Sequence, residues 1–135
     1  MTYKVIDIEG VGDAYAVKLN EAGIKTVDEL LKRCVTPKGR KDLAEATGIS
    51  SKLILKWANH ADLFRINGIG PQFAELLEAA GVDTVKELRH RKAENLVAKM
   101  EEINTEKHLT RRVPSVAEVQ KMIDEAAALP PTITY

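Results

Sequence analysis

IEGVGDAYAVKLNEAGIKTVDEL, residues 8–30, returns as INGIGPQFAELLEAAGVDTVKEL at residues 66–88, and the two stretches align without a gap. Ile8 falls on Ile66, Gly10 on Gly68, Gly12 on Gly70, Ala16 on Ala74, Leu19 on Leu77 and Gly23 on Gly81. Thr26, Val27, Glu29 and Leu30 fall on Thr84, Val85, Glu87 and Leu88. A register held that long points to duplication of a folded unit, because chance similarity scatters. Each copy reads as a sharp turn, a helix, a second turn and another helix. Two glycines around one apolar residue suit backbone angles that a side chain disfavours. Pro71 fits a first helical position, and Asp13 sets a carboxylate near the positive end of its helix. The spacing of Ala16, Leu19 and Ala22, and of Phe73, Leu76, Leu77 and Ala80, puts apolar residues on one helical face. Gly23 and Gly81 predict left-handed caps, and the T-x-x-E pattern at Thr26/Glu29 and Thr84/Glu87 predicts capping boxes that open the next helix.

Each copy continues into a further pair of helices. Thr36 and Pro37 predict an N-cap and first helical residue, with a helix to about Ala44, after which TGIS at 47–50 turns the chain into a helix holding Leu53, Ile54 and Trp57. In the second half a helix around Leu96 to Ile103 leads into a longer connection without glycine. Ser115 with Glu118 then predicts a capping box opening a helix to about Ala128. The reading is all-α, with about eight helices in two closely packed domains, residues 1–62 and 63–135, the second ending in a short tail. The terminal runs TYKVIDI and TITY look strand-like and are expected to pair with each other.

Composition bounds the function. The 135 residues carry 44% hydrophobic and 30% charged side chains, an ordinary soluble balance. No apolar run is long enough for a membrane span or a signal-peptide core, so the expected location is the cytoplasm, with no membrane partner. The one cysteine, Cys34, reads as a small apolar residue near a helix end. His60, His90 and His108 lack metal-ligand spacing, so no metal and no cofactor is expected. Nucleophile elbows, phosphate loops, H-E-x-x-H and dinucleotide fingerprints are all missing, which reads as a non-enzymatic protein. Trp57 reads as core, and aromatics at 4% do not make a base-stacking platform. Twenty basic and twenty acidic residues cancel to a net charge of +0, so attraction to a polyanion must come from local clusters.

GVGDAYAVKLNEAG and GIGPQFAELLEAAG resemble helix-hairpin-helix motifs, and the segment from Ile8 to Ala58 is similar to the N-terminal domain of RadA-type recombinases, a SAM-like fold. The whole chain, through TRRVPS to TITY, resembles the bacterial domain-of-unknown-function 4332 family. The helix-hairpin-helix resemblance implies two tandem domains whose hairpin N–H groups contact DNA phosphates without reading sequence. The physical reason is that N–H groups at a glycine turn before a helix form an anion site. Carried over by position, the contacts are Gly10, Val11 and Gly12, then Gly68, Ile69 and Gly70, with Gly48 and Ile49 as a weaker third pair. Glu9 and Asp13 flank the first hairpin with negative charge, whereas Arg65, Asn67 and Gln72 flank the second with donors, so the second is preferred.

Three basic clusters accompany the hairpins: KRCVTPKGRK at 32–41, RHRK at 89–92 and KHLTRR at 107–112. If they share a face with the hairpins, Lys38, Arg40, Lys41, Arg89, Arg91, Arg111 and Arg112 become phosphate-contacting residues. Otherwise they complement helix C-termini and keep the surface wet. Two functional readings stay open: sequence-independent binding of DNA or another nucleic acid, or a protein-interaction scaffold that keeps the fold for its packing. Oligomeric state is not legible.

Overall fold

The computed structural model describes residues 3–135. Among these, a short 3-10 turn at Val5–Asp7 precedes eight α-helices: α1 (Gly12–Glu21), α2 (Val27–Arg33), α3 (Pro37–Thr47), α4 (Ser51–Leu63), α5 (Pro71–Ala79), α6 (Val85–Leu88), α7 (Ala93–Lys107) and α8 (Val116–Ala128). The chain divides into two compact units, residues 1–62 with 132–135, and residues 63–131. The last four residues therefore belong with the first unit, and not with the second domain, where the sequence alone places them.

The repeat is written in the hydrogen bonds as well as the letters. Ile8 N–H donates to Val5 O and Val11 N–H to Ile8 O, both at 3.1 Å, while Ile66 N–H donates to Leu63 O at 3.1 Å and Ile69 N–H to Ile66 O at 3.2 Å. The second bond of each pair closes a four-residue turn whose third residue is glycine, Gly10 at φ +91° and Gly68 at φ +90°, an angle at which a side chain is strained. The apolar residue closing each turn, Val11 or Ile69, is buried and pins the turn to its own core. At the other end of the repeat, Ile24 N–H reaches Leu19 O at 2.9 Å and Val82 N–H reaches Leu77 O at 2.8 Å, the bonds that close a helix over a left-handed glycine.

The caps agree with the sequence, with one divergence. Thr26 and Glu29 form a complete capping box, Glu29 N–H to Thr26 Oγ1 at 3.2 Å and Thr26 N–H to Glu29 Oε1 at 3.1 Å. Thr84 makes only its half, accepting from Glu87 N–H at 3.0 Å, because the Glu87 carboxylate takes Arg91 Nε at 3.0 Å instead. Ser115 and Glu118 complete the box that opens α8. Where the second unit lacks a glycine after α7, His108 takes the left-handed conformation (φ +51°) and donates its N–H to Asn104 O at 2.9 Å. The Asn104 side chain then accepts from Thr110 N–H at 2.9 Å and donates to Thr110 O at 3.1 Å, closing the connection.

In the second unit α7 packs on α5 and α8, and α6 on α8, around Leu63, Ile66, Ile69, Leu76, Leu77, Leu88, Leu96, Met100, Val119 and Ile123. In the first, the 3-10 turn packs on α1 and α2 on α3; Ile8, Leu19, Leu30, Leu43, Ile54 and Trp57 are fully buried, and Trp57 meets Tyr15 edge-on at 5.2 Å. Among the described residues the chain ends do not pair with each other. Lys4 forms an antiparallel bridge with Thr26, Val5 N–H reaches Lys25 O at 3.0 Å, and Thr134 N–H reaches Val35 O at 2.8 Å. Each end bonds instead to a segment of the first unit; Thr2, the start of the strand-like run, lies outside the described residues.

Candidate nucleic-acid interface

The turn geometry divides the candidate N–H groups into used and available ones. The N–H groups of Val11 and Ile69 close their own turns and their side chains are buried, so neither residue presents a donor. Gly10, Gly12, Gly68 and Gly70 have no backbone acceptor among the described residues. The third pair is lost: Gly48 N–H donates to Ala44 O at 2.8 Å, ending α3, and Ile49 N–H donates to Thr47 Oγ1 at 3.2 Å. Its resemblance to the hairpins was one of residue type, but its donors are consumed as a helix cap.

Both hairpin helices start without help from a side chain. Neither α1 nor α5 has a side-chain N-cap bond, unlike α2, α3, α6 and α8. The first-turn N–H groups of α5, at Gln72 and Phe73, thus keep the positive end of that helix uncovered. Gln72 is exposed on it.

The two turns differ in what surrounds them. A Cβ built on Gly10 or Gly12 would meet nothing within 4 Å, so the first turn is open, but Glu9 and Asp13 stand exposed beside it. At the second turn a Cβ on Gly68 would lie 3.3 Å from Met122 Cε, and Asn67 N–H donates to Glu125 Oε2 at 3.1 Å. Arg65 sends Nη2 to Pro130 O at 3.0 Å. The second turn therefore carries an acid of α8 where the sequence shows only donors.

The basic clusters separate in the same way. Arg40 is 7% exposed and donates to Cys34 O at 3.0 Å and Val35 O at 3.4 Å, its guanidinium 5.7 Å from the Tyr135 ring. It ties the end of α2 to α3 and is withdrawn from the phosphate-contacting set, since a cation satisfying buried carbonyls is not free to leave them. Lys38 pairs with Asp42 at 3.3 Å, and Arg91 is held by Glu87 and by Gly81 O, both at 3.0 Å. Arg112 forms a two-point pair with Glu118, 2.9 Å on each arm, and its guanidinium lies 5.9 Å from the Phe73 ring. Lys41, Arg89 and Arg111 have no charged partner among the described residues. Because Phe73 is in the first turn of α5, its contact with Arg112 sets the basic TRR segment beside the start of that helix. The sequence alone left that proximity undecided, and Phe73, Glu125 and Met122 were the residues missed. Only Glu125 gave a signal, an acid in the last turn of a helix, where the dipole disfavours it.

The ionisable groups report the same contacts. The Arg112 guanidinium, with the Ser115 N–H, holds the Glu118 carboxyl down to about 2 from its ordinary 4.5, and Arg112 is raised in return. A depressed carboxylate contributes stability that is full above pH 4.5 and is lost as pH falls towards 2. Acid titration monitored by circular dichroism is expected to show part of the unfolding in that window, and Glu118→Gln to remove that part. Burial pushes the Cys34 thiol up to about 11, which leaves it inert as a nucleophile at neutral pH. Among the described residues no His, Cys, Asp and Glu side chains gather as a metal site, and no helix is long and apolar enough to cross a membrane.

Residues 9–129 match the family described as a domain of unknown function (DUF4332). The chain belongs to this family. The DUF4332 region contains the glycines of both turns and all three basic clusters, and it stops short of the C-terminal tail. No curated protein and no solved structure matches the chain.

Proposed function

We propose that this DUF4332 protein is a non-enzymatic, sequence-independent nucleic-acid-binding module of the cytoplasm, built from two tandem helix-hairpin-helix domains, and that the second hairpin holds a phosphate. The observation that carries the reading is the uncapped start of α5 with Arg112 beside it on Phe73. Helix-end N–H groups and a nearby guanidinium favour the same anion, one through the dipole and one through charge. Arg111, exposed next to it, supplies a further cation with no acid to release first. The first hairpin contributes less, because Glu9 and Asp13 repel a phosphate brought to its open glycines.

With a net charge of +0 and few phosphates engaged, binding is weak and salt-sensitive, with a dissociation constant on the order of 10 µM near physiological salt. The test is fluorescence anisotropy of labelled single- and double-stranded DNA and RNA at low and near-physiological salt. Arg111→Glu, at an exposed site, is expected to weaken binding about tenfold with the fold intact. Replacing Gly68 and Gly70 by larger residues is expected to abolish it. No binding by the native protein at low salt would sink the reading. A scaffold role draws its support from the first unit, where Glu9 and Asp13 disfavour a phosphate and Ile6 (39% exposed) and Val17 (54% exposed) are exposed apolar side chains.

A further inference from the structure

The Glu125 carboxylate on the second glycine turn is not needed to make that turn. The first turn has the same φ at its glycine, +91° against +90°, and nearly the same closing bond, 3.1 against 3.2 Å, yet among the described residues nothing lies within 4 Å of a Cβ built on its glycines. Nor does Glu125 suit its own helix. It lies in the last turn of α8, which carries no basic residue, and there the carbonyl end of the helix repels an acid. Among the described residues its hydrogen-bond partner is the Asn67 N–H, 3.1 Å away in the turn. An exposed N–H of an anion-binding turn thus already holds an anion, and that anion is the protein's own.

We propose that Glu125 is a built-in competitor for the second glycine turn, an autoinhibitory contact that a nucleic-acid phosphate must displace. The inference rests on the phosphate-binding reading of that turn and adds its regulation. A carboxylate presents two oxygens and one negative charge to the donors that a phosphodiester would use, so the two cannot share the turn without mutual repulsion. Met122, whose Cε lies 3.3 Å from the Cβ position of Gly68, seats α8 against the turn and keeps Glu125 in reach. Displacement exchanges one charge-assisted bond for another. Affinity is therefore held low by an amount set by Glu125 alone, and the number of cations is unchanged.

The experiment compares Glu125→Gln with the native protein in the same anisotropy titration at low salt, with Asp124→Asn as a control. Glutamine keeps the size and an oxygen for the Asn67 N–H but removes the charge; Asp124, bonded to Gln120 Nε2 at 2.9 Å, makes the same change of net charge one residue away. Glu125→Gln is expected to bind about fivefold more tightly and Asp124→Asn less than twofold. Equal binding by all three proteins would overturn the inference and leave the phosphate reading standing. An equal gain in both variants would overturn it as well, since general charge would then be the cause. No binding by any of them would remove the reading and the inference together. A circular dichroism melt checks that each variant is folded.

Discussion

Gly39→Ala is expected to destabilise the protein by about 3 kcal/mol, a drop in melting temperature on the order of 10 °C. In an isolated helix the same change would stabilise by up to about 1 kcal/mol, because alanine is the better helix former. Here α3 crosses the end of α2 so closely that a Cβ on Gly39 would run into the Arg33 carbonyl oxygen, with Thr36 Oγ1 only 3.3 Å away. The obstructing atom is backbone, so no rotamer change relieves it. The α2–α3 corner must open, and with it go the bonds from Arg40 to Cys34 O and Val35 O. Thermal melts of Gly39→Ala and of Lys38→Ala, an exposed neighbour on the same helix, check this. Lys38→Ala is expected to change stability by less than about 0.5 kcal/mol. A neutral or stabilising Gly39→Ala would mean that the corner is looser than described.

Asn104→Ala is the second large effect, a loss of about 2 kcal/mol. The Asn104 amide closes the α7–α8 connection with two bonds to the Thr110 backbone, 2.9 and 3.1 Å, and alanine leaves both Thr110 groups without a protein partner. The same turn holds His108 at φ +51°. His108→Gly is therefore expected to stabilise, by about 1 kcal/mol, because glycine takes the left-handed conformation without the side-chain strain. The pair of opposite signs within five residues separates side-chain closure from backbone strain. Denaturant titration of both variants measures it. Asn104→Asp retains one acceptor and is expected to fall between the native protein and Asn104→Ala.

The candidate site was legible where its chemistry is local. Gly10, Gly68, Thr26, Ser115 and Pro71 act on atoms within a few residues of themselves, and their spacing sufficed to predict the turns, caps and helix starts. The α7–α8 turn was not readable in that way, because an asparagine side chain and a strained histidine there do the work of a glycine. The basic run at 32–41 misled for another reason. Arg40 and Gly39 look like surface residues in a polar stretch, but α3 lies against the end of α2 and turns one into a buried tie and the other into a clearance. At the second turn the donors were visible in the sequence, and the acid that covers one of them was not, since Glu125 is 58 residues from Asn67.

The duplication, the all-helical class, the position of each glycine turn and the caps that open α2, α3, α6 and α8 follow from the residues alone, because those features are fixed by bonds between near neighbours. Which of the two turns is open and which is held by Glu125, which cations lack a charged partner among the described residues, and which unit receives the chain's last four residues came from the folded chain. Those outcomes depend on contacts between segments far apart in the chain, whose partners no local pattern specifies.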